Sequence, residues 1–132
     1  MFIRKGLKLS VIIPTLFICL LALCSQASAA DVYMGNFRSG NQAWLVSESL
    51  KMHSMRDCDV TVKKVRNGKF LGYLQYSFSG GVTENGYVET FTCSDGRRGT
   101  INAQGLDEWS VVEHNIFSYF QKKWSDYVIG HK

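Results

Sequence analysis

The segment over residues 102–124, NAQGLDEWSVVEHNIFSYFQKKW, carries the most regular apolar pattern in the chain. Its apolar residues recur at spacings of three and four: Leu106, Trp109, Val112, Ile116, Phe120 and Trp124. Phe117 widens this stripe, and a one-sided stripe of this kind must face a core. Asp107 and Glu108 lie near the start, and Lys122 and Lys123 lie near the end, as the helix dipole favours. The pattern predicts an amphipathic helix.

The N-terminus has the composition of an export signal. The apolar run VIIPTLFICLLALC follows three cations, Arg4, Lys5 and Lys8. Ala27-Ser28-Ala29 then fits the small-residue rule for signal-peptide cleavage. We therefore expect a signal peptide over residues 1–29 and a mature periplasmic domain over residues 30–132, with no membrane contact after cleavage. Lipoprotein processing before Cys24 is the alternative, and Leu23 disfavours it.

The length and charge of the mature segment indicate one small domain that does not bind nucleic acid. About 100 residues fit a single domain. Loss of the three signal cations lowers the formal net charge from +4 to about +1. No basic footprint for nucleic acid remains after that loss.

Cys58 and Cys93 are the two cysteines outside the predicted signal. Two cysteines in an oxidising compartment usually pair, and closing a loop of about 35 residues would stabilise the fold by roughly 3 to 4 kcal/mol. Neither has the C-x-x-C or histidine neighbours of a metal site. A catalytic pair of Cys93 with His114 lacks an orienting third residue. We predict a Cys58–Cys93 disulfide and no metal site.

The first half of the mature chain mixes helix and strand signals. In residues 37–54, FRSGNQAWLVSESLKMHS, Ser39 and Gln42 form a capping-box pattern, which predicts a first helix. Residues 55–69 alternate β-branched and polar residues up to Asn67-Gly68, which favours a hairpin with the following segment. Residues 70–81 fit one face of a helix and one face of a strand equally well, so their state stays open.

The second half contains two turn signals before the predicted helix. Asn85-Gly86 indicates either a second hairpin or a loop with a short extended stretch. Residues 94–100, SDGRRGT, read as loop. Arg97 and Arg98 could clamp a carboxylate or a phosphate there, although solubilising charges are the commoner role of such residues.

Catalytic signatures are missing from the sequence. It has no G-x-S-x-G, no H-E-x-x-H and no phosphate-binding glycine loop. We therefore expect no enzyme activity and no cofactor. The middle segment is rich in aromatic residues: Tyr73, Tyr76, Phe78 and Tyr87. Such residues build small cores, and they also anchor protein interfaces.

Four short motifs together resemble the Rap/Tai group of exported immunity proteins against type VI secretion amidase effectors. The matching positions are Gly40 and Asn41; Gly72, Tyr73 and Leu74; Phe91 and Cys93; and Gln104, Val111, Val112, Tyr119 and Phe120. The resemblance implies that residues 70–81 form a helix. It also implies a mainly α fold: a small disulfide-stapled helical domain, with or without a short β-hairpin.

The function implied by the resemblance is stoichiometric inhibition. The partner would be a cognate peptidoglycan amidase effector, whose active-site cleft this protein would occlude. We expect two loops to make the contact, brought together by the disulfide: Thr83, Glu84, Asn85, Tyr87, Asp95, Arg97 and Arg98. A homodimer stays open. The alternatives are a periplasmic stress chaperone or envelope-maintenance protein and a lysozyme-inhibitor-like binding protein.

Overall fold

The computed structural model describes residues 31–130, and most of that stretch is β-strand. Seven strands precede one long helix: β1 Asp31–Asn36, β2 Gln42–Val46, β3 Lys51–Met52, β4 Cys58–Arg66, β5 Lys69–Thr83, β6 Gly86–Cys93 and β7 Arg98–Asn102, followed by α1 Val111–Gly130. Buried and exposed side chains alternate along β4, β5 and β6, the two-residue period of a sheet with one covered face.

The strands form one antiparallel sheet in the order β1-β2-β4-β5-β6-β7. β2 and β3 both pair with β4. β2 pairs with the second half of β4, and β3 pairs with the first two residues of β4. A short 3₁₀ turn, Ser47–Ser49, links them. β4 and β5 form the longest pairing, which contains a β-bulge between Lys64 and Val65.

Helix α1 covers one face of the sheet and closes the core. Its buried residues Val112, Ile116 and Phe120 lie against the inward side chains of the central strands. Phe78 lies at the centre of this core, where its ring contacts four others: Tyr76, Phe91, Trp109 and Phe117. Such aromatic pairs stabilise a small core beyond their buried area.

The prediction of a mainly α fold is wrong, because residues 31–130 are mainly β-strand and contain a single α-helix at their C-terminal end. The predicted first helix over residues 37–54 is instead a turn, β2, the 3₁₀ turn and β3. The turn begins after Phe37, and Gly40 adopts a φ of 89°, which favours glycine. Ala43 and Leu45 are buried two residues apart, so the local period is that of a strand.

The helix that the resemblance implies for residues 70–81 is also wrong, because these residues belong to β5. Leu74, Tyr76 and Phe78 are buried at intervals of two residues. The hairpin predicted at Asn67-Gly68 is confirmed, and both turn residues have positive φ, at 50° and 77°. β5 and β6 form the second hairpin, closed by the pair Thr83 and Gly86.

The predicted C-terminal helix is confirmed, although it begins at Val111 and not near Leu106. Leu106 is exposed, and the segment before the helix runs along the outer edge of β7. The helix also continues to Gly130, so Lys122 and Lys123 lie before its last turn. The loop predicted for residues 94–100 is partly wrong, since β7 begins at Arg98.

The predicted disulfide is absent, because Cys58 and Cys93 are both free and buried. Cys58 pairs with Phe78 of β5, and Cys93 pairs with Tyr76 of the same strand, so β5 separates the two cysteines. Two strand spacings amount to about 10 Å, whereas a disulfide requires Cα atoms within about 7 Å.

The predicted signal peptide lies outside the described residues. Within residues 31–130, no helix combines the length and the apolar content needed to span a bilayer.

Candidate functional site

A groove of about 500 Å³ opens at the N-terminal end of α1. Four parts of the chain form its walls: the β1–β2 turn, the helix-facing side of β4 and β5, the β6–β7 turn and the start of α1. The groove therefore lies where several loops meet at one end of the sheet, held by the packed elements beneath them.

Arg97 lies at the base of the groove and is bound on two sides. Its backbone N–H and its Nε donate to the carboxylate of Asp95, at 3.0 and 2.7 Å. Its Nη2 donates to the hydroxyl of Tyr76 at 2.7 Å, and its Nη1 lies 3.4 Å from Oε2 of Glu113. The ring of Phe37 lies 5.2 Å from the guanidinium. These contacts hold the arginine in one orientation.

Glu113 connects this network to the start of the helix. Its Oε1 accepts hydrogen bonds from the backbone N–H and the hydroxyl of Ser110, at 3.0 and 2.7 Å. Its Oε2 accepts from the hydroxyl of Tyr76 at 2.9 Å. Its side chain is only 1 % exposed. The arrangement resembles a capping box, in which the glutamate of the first turn satisfies the N–H of the N-cap residue.

Burial and hydrogen bonding shift the pKa values of three groups around Arg97. Burial, together with the nearby carboxylate of Glu113, raises the pKa of Tyr76 well above its ordinary value. Burial likewise raises the pKa of the Cys93 thiol. Partial burial of Asp95 opposes its ionisation, but hydrogen bonds from Arg97 hold the pKa of Asp95 below its ordinary value. Tyr76 and Cys93 are therefore neutral near pH 7, and Asp95 is charged.

The rim of the groove carries cations above a partly apolar floor. Arg38, Lys64 and Arg98 line the groove, and no ion pair in the described part of the chain involves them. Phe37, Leu74 and Phe91 supply the apolar lining. Glu108 adds a carboxylate, whose Oε1 accepts a hydrogen bond from the backbone N–H of Thr100 at 3.0 Å. The small excess of cations beside apolar side chains suits an anionic group attached to an apolar body.

The groove has little to offer nucleophilic catalysis. The hydroxyl of Ser110 donates to the carboxylate that caps the helix, so both groups are engaged in structure. The Cys93 thiol is held protonated by burial, whereas a nucleophilic cysteine needs a lowered pKa. The groove does offer cations and the fixed guanidinium of Arg97, which can bind an anionic group.

The structure separates the two loops predicted to make a common contact surface. Asp95, Arg97 and Arg98 line the groove. Thr83, Glu84, Asn85 and Tyr87 belong to the β5–β6 hairpin end, at the opposite end of β6. An eight-residue strand spans roughly 25 Å. Tyr87 also has a structural role there, since its hydroxyl donates to Glu89 at 2.7 Å. Only residues 95–98 remain candidates at the groove.

Sequence reasoning missed the contributions of Arg38, Lys64 and Glu113. Arg38 and Lys64 carry no motif, because only the folding of β4 beside the β1–β2 turn brings them together. Glu113 did carry a signal: Ser110-x-x-Glu113 has the capping-box spacing directly before a buried valine.

A second polar cluster lies on the outer face of the sheet. His53 Nε2 lies 2.8 Å from Oδ2 of Asp59, and the hydroxyl of Ser77 donates to Oδ1 of Asp59 at 2.6 Å. These hydrogen bonds hold the pKa of Asp59 below its ordinary value. A serine–histidine nucleophile needs the histidine between the other two groups. Here the carboxylate is in the middle, so Ser77 gains no base.

Within residues 31–130, no three histidine, cysteine or acidic side chains are grouped so as to hold a metal ion. No protein-family model, curated protein or solved structure compared with the chain matches it.

Proposed function

We propose that this protein is a non-catalytic binding protein whose groove receives an anionic group of a protein partner. The observation that carries the proposal is the set of three groove cations that form no ion pair in the described chain: Arg38, Lys64 and Arg98. Arg97 is paired with two carboxylates, Asp95 and Glu113, and Glu108 is a third carboxylate of the lining. With Arg97, the four cations of the groove outnumber its carboxylates by one.

The rigidity of the site supports tight binding. Arg97, Tyr76 and Glu113 are joined by hydrogen bonds that tie the β6–β7 turn to β5 and to the start of α1. A surface that is ordered before binding loses less conformational entropy when it meets its partner. This is the property that a stoichiometric inhibitor requires, and it does not depend on a disulfide.

The partner we propose is a peptidoglycan amidase effector of a type VI secretion system. This proposal rests on the four short motifs that resemble amidase-immunity proteins, and on the export signal expected at residues 1–29. The groove adds a specific expectation: an acidic residue or a carboxylate of the effector should enter between Arg38 and Arg98.

The test is a titration of type VI secretion peptidoglycan amidases with the protein, followed by calorimetry and by the amidase activity itself. The variant Arg38→Gln with Arg98→Gln should weaken the complex roughly a hundredfold, about tenfold for each lost charge-assisted contact. The matched control is Lys51→Gln with Lys122→Gln, which removes two exposed cations away from the groove. Equal affinity of both double variants would refute the groove as the contact site. Absence of any complex would refute the amidase as the partner.

A further inference from the structure

The first part of β5 extends beyond its neighbour β6. β5 begins at Lys69, but its pairing with β6 begins only at Tyr76, opposite Cys93. Residues 69–74 pair with β4 on one side, except Leu71 at the β-bulge, and have no strand on the other side in the described chain. This stretch is an open sheet edge next to the groove, which Leu74 lines.

The backbone of this edge has free groups that face outward. The C=O and N–H of Gln75 point to the β6 side, where Ser94 binds both, at 2.9 Å in each case. Because successive residues of a strand point their backbone groups to alternate sides, the N–H and C=O of Tyr73 point the same way. No backbone hydrogen bond on that side engages Tyr73 in the described chain.

Large apolar side chains are exposed along the same edge. Phe70, Leu71 and Tyr73 are 50 %, 44 % and 58 % exposed, and the rings of Phe70 and Tyr73 lie 4.9 Å apart. Natural proteins usually protect an open edge with charge or by covering it, and an exposed apolar edge is a template for another strand. Here the open backbone and the exposed apolar surface coincide.

The two strands at this edge, β4 and β5, are rich in cations, while the groove beside them also holds the carboxylates of Asp95, Glu108 and Glu113. From Val60 to Thr83 the sequence has four cations and no acidic residue: Lys63, Lys64, Arg66 and Lys69. Side chains on the two faces differ, since Leu74 and Lys64 lie at the groove, whereas Tyr73 points to the outer face. A strand added here would direct its side chains alternately to the cationic groove and to the aromatic outer face.

We propose that the partner binds by adding a short extended segment to the open edge of β5, through a sequence in which acidic and apolar residues alternate. The acidic side chains enter the groove beside Lys64 and Arg98, and the apolar ones cover Phe70 and Tyr73. Backbone hydrogen bonds to Tyr73 supply affinity, and the alternation supplies specificity. This inference rests on the proposed function and adds the mode of recognition.

The probe is a blocked seven-residue peptide in which glutamate and valine alternate. Its control has the same composition with the four glutamates placed together, so it cannot place one residue type on each face. We expect the alternating peptide to bind about tenfold more tightly, and bound peptide to slow the hydrogen exchange of the Tyr73 amide by about tenfold or more. N-methylation of the peptide at the positions that face β5 should abolish both effects.

A variant of the protein tests the same contact from the other side. Tyr73→Pro removes the outward N–H at an edge position, where proline is tolerated, and Tyr73→Val keeps that N–H while losing the ring. Selective loss of peptide binding in the proline variant is expected.

Three results would overturn the proposal: equal binding of the two peptides, an unchanged exchange rate at Tyr73, or protection of Tyr73 by self-association without peptide. Peptide binding that depends on Arg38 and Arg98 but leaves Tyr73 unprotected would overturn the strand addition alone and leave the groove function standing. If the alternating peptide does not bind, the strand addition is overturned as well. The titration of the amidase tests the proposed function independently of that result.

Discussion

Two glutamates are almost fully buried in this protein, and their surroundings differ. Glu113 accepts hydrogen bonds from Ser110 and Tyr76 and lies beside the guanidinium of Arg97. Glu89, 1 % exposed on β6, accepts one hydrogen bond from Tyr87, and its second oxygen has no partner within the described chain. The first carboxylate is part of a charged network, whereas the second is close to isolated.

The titration of Glu89 should make the stability fall as the pH rises. Burial raises the pKa of Glu89 from its ordinary 4.5 to about 7, despite the hydrogen bond from Tyr87, and nearby Asp57 adds to the shift. The native state therefore holds the proton more tightly than the unfolded chain. The resulting stabilisation is complete below pH 4.5 and is lost as the pH rises through about 7.

Glu89→Gln, which cannot ionise, tests this expectation. Relative to the wild type, the variant should gain roughly 3 kcal/mol of unfolding free energy between pH 4.5 and pH 8. Urea unfolding across that range measures it. Glu84→Gln, on the exposed turn between β5 and β6, is the matched control for loss of one carboxylate. A constant difference between Glu89→Gln and the wild type would contradict the assignment.

Arg97 should contribute to the free energy of unfolding as well as to the lining of the groove. Arg97→Gln leaves the buried carboxylate of Glu113 without its cation, and the expected loss of unfolding free energy is about 2 to 3 kcal/mol. Arg98→Gln, one residue along, should change stability by less than about 0.5 kcal/mol, because Arg98 is exposed. Chemical denaturation of both variants gives the comparison. Similar losses in the two would show that the Arg97 network contributes little.

At the scale of the strands, the missing side chain of Gly80 on β5 leaves the space that the carboxylate of Glu89 on β6 occupies. Gly80 is paired with Glu89 across the two strands, and a Cβ atom at Gly80 would clash with the Glu89 carboxylate and lie 2.9 Å from the carbonyl oxygen of Val88. A methyl group there forces one of these neighbours to move.

A double-mutant cycle measures this coupling between the two strands. Gly80→Ala should cost about 2 kcal/mol in the wild type. In a Glu89→Ala background the cost should fall by about 1 kcal/mol or more, because the carboxylate is gone while the Val88 carbonyl remains. Additive effects would mean that the side chain of Glu89 moves aside freely.

The elements differ in how far local sequence could predict them. The hairpin at Asn67-Gly68 and the helix α1 were predictable, because the first depends on turn residues with positive φ and the second on a long 3.6-residue period. β2 was misread, because its five residues offer too short a pattern to oppose the apparent cap at Ser39. The apolar spacing in β5 fits the period of a helix and that of a strand equally well. Its pairing with β4 and β6 is what makes this segment a strand.

At the scale of the whole molecule, the free cysteines should leave the domain insensitive to reductant. Cys58 and Cys93 lie on opposite sides of β5, and burial raises the pKa of Cys58 to about 12, so its thiol stays protonated. We expect the same unfolding midpoint with and without dithiothreitol. Peptide mapping without reductant should find both residues alkylated after unfolding. A linked pair of peptides would contradict the strand order.

The sequence by itself determined the local features of this protein: one amphipathic helix, an Asn-Gly hairpin and the capping-box spacing at Ser110 and Glu113. Only the tertiary structure decided the strand state of β2 and β5, the separation of the cysteines and the groove. The physical reason is the range of the interactions involved. Turn geometry and helix periodicity act over a few residues. The network of Tyr76, Arg97 and Glu113 joins residues 16 to 37 positions apart, and the pairing of β2 with β4 joins residues 17 to 23 positions apart.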